Sequence, residues 1–136
     1  MARKHNELAP PDAPPPVLER EPDFTSKYAN NVRFHSTVHD LTLIFGQSDV
    51  TSGSEVVRQH TAITIPWSVL KLALYYAAVN VAVHEVYNGI IPVPPQQKPP
   101  RFPEPTAEML AENPKSQQAA DAANKIWEDF TSPLEG

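Results

Sequence analysis

The chain has 136 residues, no cysteine and a formal net charge of −5. This favours one domain and excludes disulfide frameworks, thiolate zinc sites and catalytic thiols. A mildly acidic chain also lacks the clustered cations of a non-specific nucleic-acid binder, so no nucleic-acid partner is predicted.

Proline positions divide the chain. Six of the 16 prolines lie in residues 1–22 and nine in 92–136, with only Pro66 between. Because proline lacks an N–H and fixes φ, such arms cannot pair in a sheet or continue a helix. We therefore predict an extended or disordered arm, a core domain, a polyproline-like linker and a helical tail, at residues 1–22, 23–91, 92–105 and 106–136.

Three strands are predicted in the first part of the core. Val32, Phe34 and Val38 alternate with polar residues, as in a half-buried strand, and Leu41, Leu43 and Phe45 begin a second alternation that ends at Gly46. His39-Asp40 is a tight-turn candidate. A polar loop is predicted over 47–54, and the β-branched stretch 55–65 is typical of a third strand.

One long helix is predicted to follow the strands. Pro66 suits the first helical position, and Gly89 suits a left-handed cap beyond Asn88. The fold class is therefore α+β: a three-stranded antiparallel sheet, one long helix, proline-rich arms and a short helical tail. One broad side of the helix, including Val69, Leu74 and Val81, is expected to cover the sheet.

A second apolar stripe on this helix suggests self-association. Since one helix can bury only one broad face on a small sheet, a further stripe needs another cover. Its burial would contribute on the order of 6–10 kcal/mol before entropy costs. We predict a homo-oligomer, most simply a dimer, with an interface formed by Leu72, Val79, Val83 and Val86. The alternative is that the C-terminal segment covers the stripe.

The spacing of several motifs across residues 28–91 resembles a family of small bacterial and archaeal proteins known as a domain of unknown function. The motifs are Tyr28-Ala29-Asn30, Ser36, Asp40-Leu41, Leu43, Phe45-Gly46, Ile65-Pro66, Leu70-Lys71, Asn80, Glu85, Gly89 and Ile91. Val38 and Leu41 replace the proline and phenylalanine usual in that family. The resemblance implies a fold and a bacterial cytoplasmic location, and it carries no catalytic residues.

Several polar residues of the core domain are candidate site residues. Asn80 and His84, spaced i and i+4 on the long helix, fit either a small ligand pocket or a pair satisfied locally. The histidines lack zinc-ligand spacing, and Ser36, His39 and Asp40 are too close in sequence to form a triad. We predict no catalytic residue, no metal and no cofactor.

The tail contains two predicted helices. Thr106 suits the cap of a short helix and Ser116 the cap of a longer one that ends near Phe130. Apolar residues of the longer helix follow the spacing of a helix that binds in a groove. The partner-docking residues are predicted to be Ile126, Trp127 and Phe130, which would contact this chain, a neighbouring subunit or another protein.

These patterns favour a non-enzymatic, homo-oligomeric binding or scaffold protein. No secretory signal is predicted at the N-terminus, and the apolar stretch 67–83 is interrupted by polar residues, so no membrane partner and a cytoplasmic location are predicted. Two other functions stay open. One is a chaperone for unfolded chains, similar to SecB in its strands-then-helix order and acidic charge. The other is a ligand-binding or enzymatic domain with a site near His84.

Overall fold

The computed structural model describes residues 13–51 and 54–135. A three-stranded antiparallel sheet in the order β1-β2-β3 precedes a long helix and shorter helical segments, which confirms the predicted α+β class. The strands and helices are β1 (Asn31–Ser36), β2 (Asp40–Thr51), β3 (Ser54–Pro66), α1 (Trp67–Asn88), α2 (Ala107–Glu112) and α3 (Lys115–Thr131). Residues 1–12 of the predicted arm lie outside the described residues.

The first two strands pair through a turn fastened by side chains. Val32 pairs with Phe45 and Phe34 with Leu43, so the alternating apolar residues share one face of the sheet. In the turn, the Thr37 hydroxyl donates to the Asp40 carboxylate at 2.8 Å and accepts from the Asp40 backbone N–H at 3.1 Å. The turn was predicted one position too late, since Asp40 already begins β2.

The second strand is longer than predicted. The polar sequence after Gly46 was expected to form a loop, but β2 continues to Thr51. Hydrogen bonds from other segments hold this extension: the Asn30 side chain accepts from the Ser48 N–H at 2.6 Å, and the Ser48 hydroxyl donates to Glu55 at 2.6 Å. Pairing with neighbouring segments therefore overrides local polarity here.

Gly46 marks a close approach between strands. A Cβ at this position would lie 2.7 Å from the carbonyl oxygen of Arg58, a backbone atom of β3. Gly46 is also buried, and its own carbonyl accepts from the Asn30 N–H at 3.1 Å. The Tyr-Ala-Asn and Phe-Gly motifs are thus physically joined in the sheet.

The ends of α1 follow local rules. Pro66 is the cap residue with an extended backbone, one position before the helix rather than inside it. Gly89 has a φ of +88°, a conformation that favours glycine, and its N–H donates to the Glu85 carbonyl at 2.9 Å. The predicted helix end after Asn88 is confirmed, but the ψ of Gly89 is 168°, so the residue is not in the left-handed helical conformation.

The tail forms two helices joined by a short connection. Thr106 caps α2 by accepting from the Met109 N–H, as predicted. The predicted Ser116 cap is wrong, because α3 begins at Lys115, whose N–H is accepted by the Asn113 side chain at 3.0 Å. The Asn113 side chain thus satisfies an N–H at the start of α3 that has no partner within the helix.

Contacts divide the chain into two compact units, residues 1–65 and 66–136. The first unit holds the sheet and the second holds the three α-helices. The domain boundaries predicted after residues 22, 91 and 105 stay predictions.

Candidate functional site

The surface of α1 is apolar and uncovered. None of its 22 residues is buried. The predicted interface residues Leu72, Val79, Val83 and Val86 have exposed fractions of 59%, 43%, 51% and 82%. On the side of α1 that is expected to cover the sheet, Leu74 is 61% exposed and Tyr87 83% exposed. The sheet and α1 belong to different compact units, so that expectation stays a prediction.

The same helix is long and apolar enough to cross a membrane by length and composition. Trp67–Asn88 has a mean hydropathy of 1.3 over its most apolar window, and no residue of that window is buried. The expectation that polar residues exclude this stretch as a membrane span was therefore too strict, since Lys71 and Glu85 lie toward the ends of the helix.

Asn80 and His84 are satisfied within their own helix. The Asn80 amide donates to the Tyr76 carbonyl at 2.7 Å, one turn earlier. The Asn88 amide lies 3.4 Å from Nδ1 of the His84 imidazole and also donates to the His84 carbonyl at 3.1 Å, and both Asn80 and His84 are exposed. The helix thus gives each a local partner, and the predicted ligand pocket at this pair stays a prediction.

The histidines of the sheet unit have structural partners or lie exposed. His60 bonds the Tyr28 carbonyl at 3.0 Å through Nε2 and the Thr61 hydroxyl at 2.8 Å through Nδ1. It lines an open cleft of about 240 Å³ with Thr25, Lys27, Ala29, Phe45, Thr61 and Ile63. Within residues 13–51 and 54–135, no three His, Asp or Glu side chains gather as metal ligands would. The Asp40 carboxylate, weighed for a triad, bonds Thr37 in the turn.

In the second unit, a proline-rich segment runs along α3. We call residues 98–105 the strap. Its backbone at Lys98 has φ −59° and ψ 124°, close to polyproline II. The Asn124 side chain accepts from the Phe102 N–H at 3.0 Å and donates to the Phe102 carbonyl at 3.2 Å. The Trp127 indole N–H donates to the Pro99 carbonyl at 2.8 Å.

The buried side of α3 is turned by one position from the predicted apolar side. Ala120, Asn124 and Thr131 have exposed fractions of 1%, 4% and 2%. By contrast, Ile126 is 71% exposed and Phe130 45%. The strap belongs to no helix or sheet, so the helix side that receives it supplies polar partners as well as apolar surface.

Trp127 lies at the centre of this contact. The guanidinium of Arg101 is 5.5 Å from its ring centroid and the ammonium of Lys98 is 5.9 Å away, distances at which a cation is attracted to the ring. Arg101 also pairs with Glu128 at 3.5 Å, but both side chains are more than half exposed and the pair contributes little. Of the three predicted docking residues, Trp127 therefore bonds its own chain. Ile126 and Phe130 are more exposed and line an open cleft together with Pro99, Pro100 and Phe102 of the strap.

Comparison of the chain with protein families, with curated proteins and with solved structures finds no match. The family resemblance of residues 28–91 therefore stays a prediction, and the site has to be interpreted from its geometry.

Asn124 was missed as a candidate in the sequence. The sequence does contain a pattern that includes it. Small and hydrogen-bonding side chains recur with helical spacing along one side of α3, at Ala120, Asn124, Trp127 and Thr131. Such a stripe has low hydrophobicity, and a search for apolar faces passes over it. Only the strap shows what the stripe binds.

Replacing Trp127 by phenylalanine is expected to lower the free energy of unfolding of the helical unit by about 1 kcal/mol. Phenylalanine keeps an aromatic ring but loses the N–H that bonds the Pro99 carbonyl, and a neutral hydrogen bond contributes about that much. Thermal unfolding followed by circular dichroism measures the change. Ile126→Leu, at an exposed position of the same helix, is the control and should unfold like the wild type. Equal stability of Trp127→Phe and wild type would contradict the role of the bond.

Proposed function

We propose that the protein is a non-enzymatic, homo-oligomeric scaffold in which α1 packs against a second copy of the chain. The observation that carries the proposal is the exposure of α1, where no residue is buried although most of its side chains are apolar. Contiguous exposed apolar surface of this kind marks interaction sites in soluble proteins.

The stripe of Leu72, Val79, Val83 and Val86 is the proposed contact line. Its members follow one another along about 21 Å of helix, at 1.5 Å per residue. Burying them contributes on the order of 6–10 kcal/mol, which is comparable to the roughly 4–15 kcal/mol cost of association. The apolar residues that flank the stripe on the side away from Ala82, such as Val69 and Tyr76, must therefore also enter the interface.

The helical tail would provide a second, smaller contact surface. Ile126 and Phe130 remain exposed on α3 and offer an apolar edge to a neighbouring subunit or another protein. The strap already contacts Trp127 within the chain. A neighbouring chain that docks on Ile126 and Phe130 would add to the apolar surface buried around Trp127.

Sedimentation velocity of the purified chain tests the proposal. At micromolar concentration we expect a species of about 30 kDa, twice the 15.1 kDa mass of one chain, in the absence of detergent. A monomer at the same concentration contradicts the assembly.

A second function is favoured by one observation: α1 is apolar and long enough to cross a membrane. A spanning helix would place Asn80 near the middle of the bilayer and Lys71 and Glu85 toward its two faces, where charges cost less. In that case the protein would sediment with membranes and need detergent for extraction. Recovery of the dimer from the soluble fraction would reject this function.

A further inference from the structure

The open cleft beside His60 in the sheet unit combines apolar surface with a cation. One of its walls is the segment that precedes β1, which contributes every second residue: Thr25, Lys27 and Ala29. We propose that this cleft binds a small organic anion, a molecule with an apolar body and a carboxylate group. The inference goes beyond the proposed assembly, because every described residue that lines the cleft lies in the sheet unit and not on α1.

The other wall comes from the sheet. Phe45 of β2 and Ile63 of β3 provide its apolar surface, and Thr61 adds a hydroxyl. Phe45 and Thr61 are partly buried, whereas Ile63 is 49% exposed. Apolar surface at this wall is therefore in water, and a ligand ring that covers it gains the free energy of removing both surfaces from water.

His60 joins the two walls. Its Nε2 lies 3.0 Å from the Tyr28 carbonyl, which can only accept, so Nε2 carries a hydrogen. In the neutral imidazole, Nδ1 then accepts the hydrogen of the Thr61 hydroxyl at 2.8 Å. The bond to Tyr28 holds the segment before β1 against the sheet, so the cleft is formed before a ligand binds. It also leaves neither His60 nor Thr61 as a donor, and the donors for an anion must come from the other wall.

The other wall has such donors. Within the described part of the chain, neither the Lys27 ammonium nor the Thr25 hydroxyl has a hydrogen-bond or ion-pair partner. Both side chains are exposed, and no carboxylate is among the described residues that line the cleft. A carboxylate beside Lys27 would form a charge-assisted hydrogen bond, whereas a cation would meet a like charge. The cleft therefore selects an anion.

The volume of the cleft limits the size of the ligand. Its 240 Å³ is less than the roughly 300–1,000 Å³ of pockets for drug-sized molecules. A ligand of about ten non-hydrogen atoms suits it and is expected to bind with a dissociation constant on the order of millimolar. Phenylacetate has the required parts, a ring for Phe45 and Ile63 and a carboxylate for Lys27.

Titration of the full chain with phenylacetate, followed by the NMR chemical shifts of backbone amides, tests the site. We expect saturating shifts along both walls, at Lys27, Ala29, Thr61 and Ile63. Phenylacetamide has the same shape without the charge and should bind about threefold more weakly, since an exposed ion pair contributes modestly. Acetate keeps the charge without the ring and should bind at least about tenfold more weakly.

Two results of this titration would overturn the proposal. Shifts at the walls that do not saturate by roughly ten times the expected dissociation constant would show that the cleft is not a binding site. Equal affinity for phenylacetate and phenylacetamide would show that the site does not select an anion.

Reversing the charge at one position provides an independent test. Lys27→Glu is expected to weaken phenylacetate binding about tenfold and to strengthen binding of phenethylammonium, which carries a cation in place of the carboxylate, by a similar factor. Lys125→Glu makes the same substitution at an exposed lysine of α3 and should keep the preference of the wild type for phenylacetate.

Circular dichroism verifies that both variants keep the sheet. If Lys27→Glu does not, Lys27→Gln replaces it and should bind phenylacetate and phenethylammonium with nearly equal affinity. An unchanged preference in the folded Lys27 variant, or the same reversal in Lys125→Glu, would overturn the role of Lys27.

Discussion

Val83→Glu is expected to convert the assembled protein to a monomer while the sheet stays folded. Val83 is 51% exposed in the single chain and lies in the middle of the proposed contact line. An unpaired carboxylate buried in an apolar interface costs several kcal/mol, which corresponds to at least a hundredfold weaker dimer. Sedimentation velocity over a concentration series measures the dissociation constant.

Ala82→Glu is the matched control for this substitution. Ala82 is the preceding residue of α1 and lies about 100° around the helix, on the side with Ser68 and Lys71. The added carboxylate is the same in both variants, and glutamate is well tolerated in a helix, so the position of the charge is the main difference. We expect Ala82→Glu to assemble like the wild type. Equal loss of assembly in both variants would contradict the proposed stripe, and unchanged assembly of Val83→Glu would contradict the α1 interface.

Gly46→Ala is expected to destabilise the sheet unit by about 1–3 kcal/mol. The new methyl group would lie 2.7 Å from the Arg58 carbonyl oxygen, and a backbone atom in a strand cannot rotate away as a side chain can. The strands must separate, which weakens the bonds that join Asn30 to Gly46 and Ser48. Chemical denaturation followed by circular dichroism measures the loss in the transition of the sheet.

Ser36→Thr adds a methyl group at an exposed position of the same sheet and is the control. Its stability should stay within about 0.5 kcal/mol of the wild type, as for most surface substitutions. If Gly46→Ala is as stable as Ser36→Thr, then β2 and β3 can move apart at Gly46 without loss of stability, which contradicts the prediction.

Local patterns predicted much of the fold. The alternation of Val32 and Phe34 against polar residues indicated β1, and proline and glycine bounded α1 at Pro66 and Gly89. The Thr106 cap was equally visible. In each case neighbouring residues decide the conformation, through side-chain periodicity, φ restriction or a hydrogen bond within one turn.

The candidate sites were less predictable. The docking residues were chosen from the apolar side of α3, yet the strap lies on the adjacent side, where Asn124 and Thr131 are buried. Apolar periodicity reports which side of a helix avoids water, but it does not report which side hydrogen-bonds a distant backbone. The exposed Ile126 and Phe130 were found by that criterion, whereas Asn124 was not.

By itself, the sequence determined the order of the strands and helices, the ends of α1 and α2, and the apolar character of α1, because these depend on residues within a few positions of one another. Only the tertiary structure decided that β2 continues to Thr51, that Gly46 faces the Arg58 carbonyl, and that the strap lies on Asn124 and Trp127. These features depend on hydrogen bonds and close contacts between segments far apart in the chain, and no local pattern encodes which distant partner a polar group will meet.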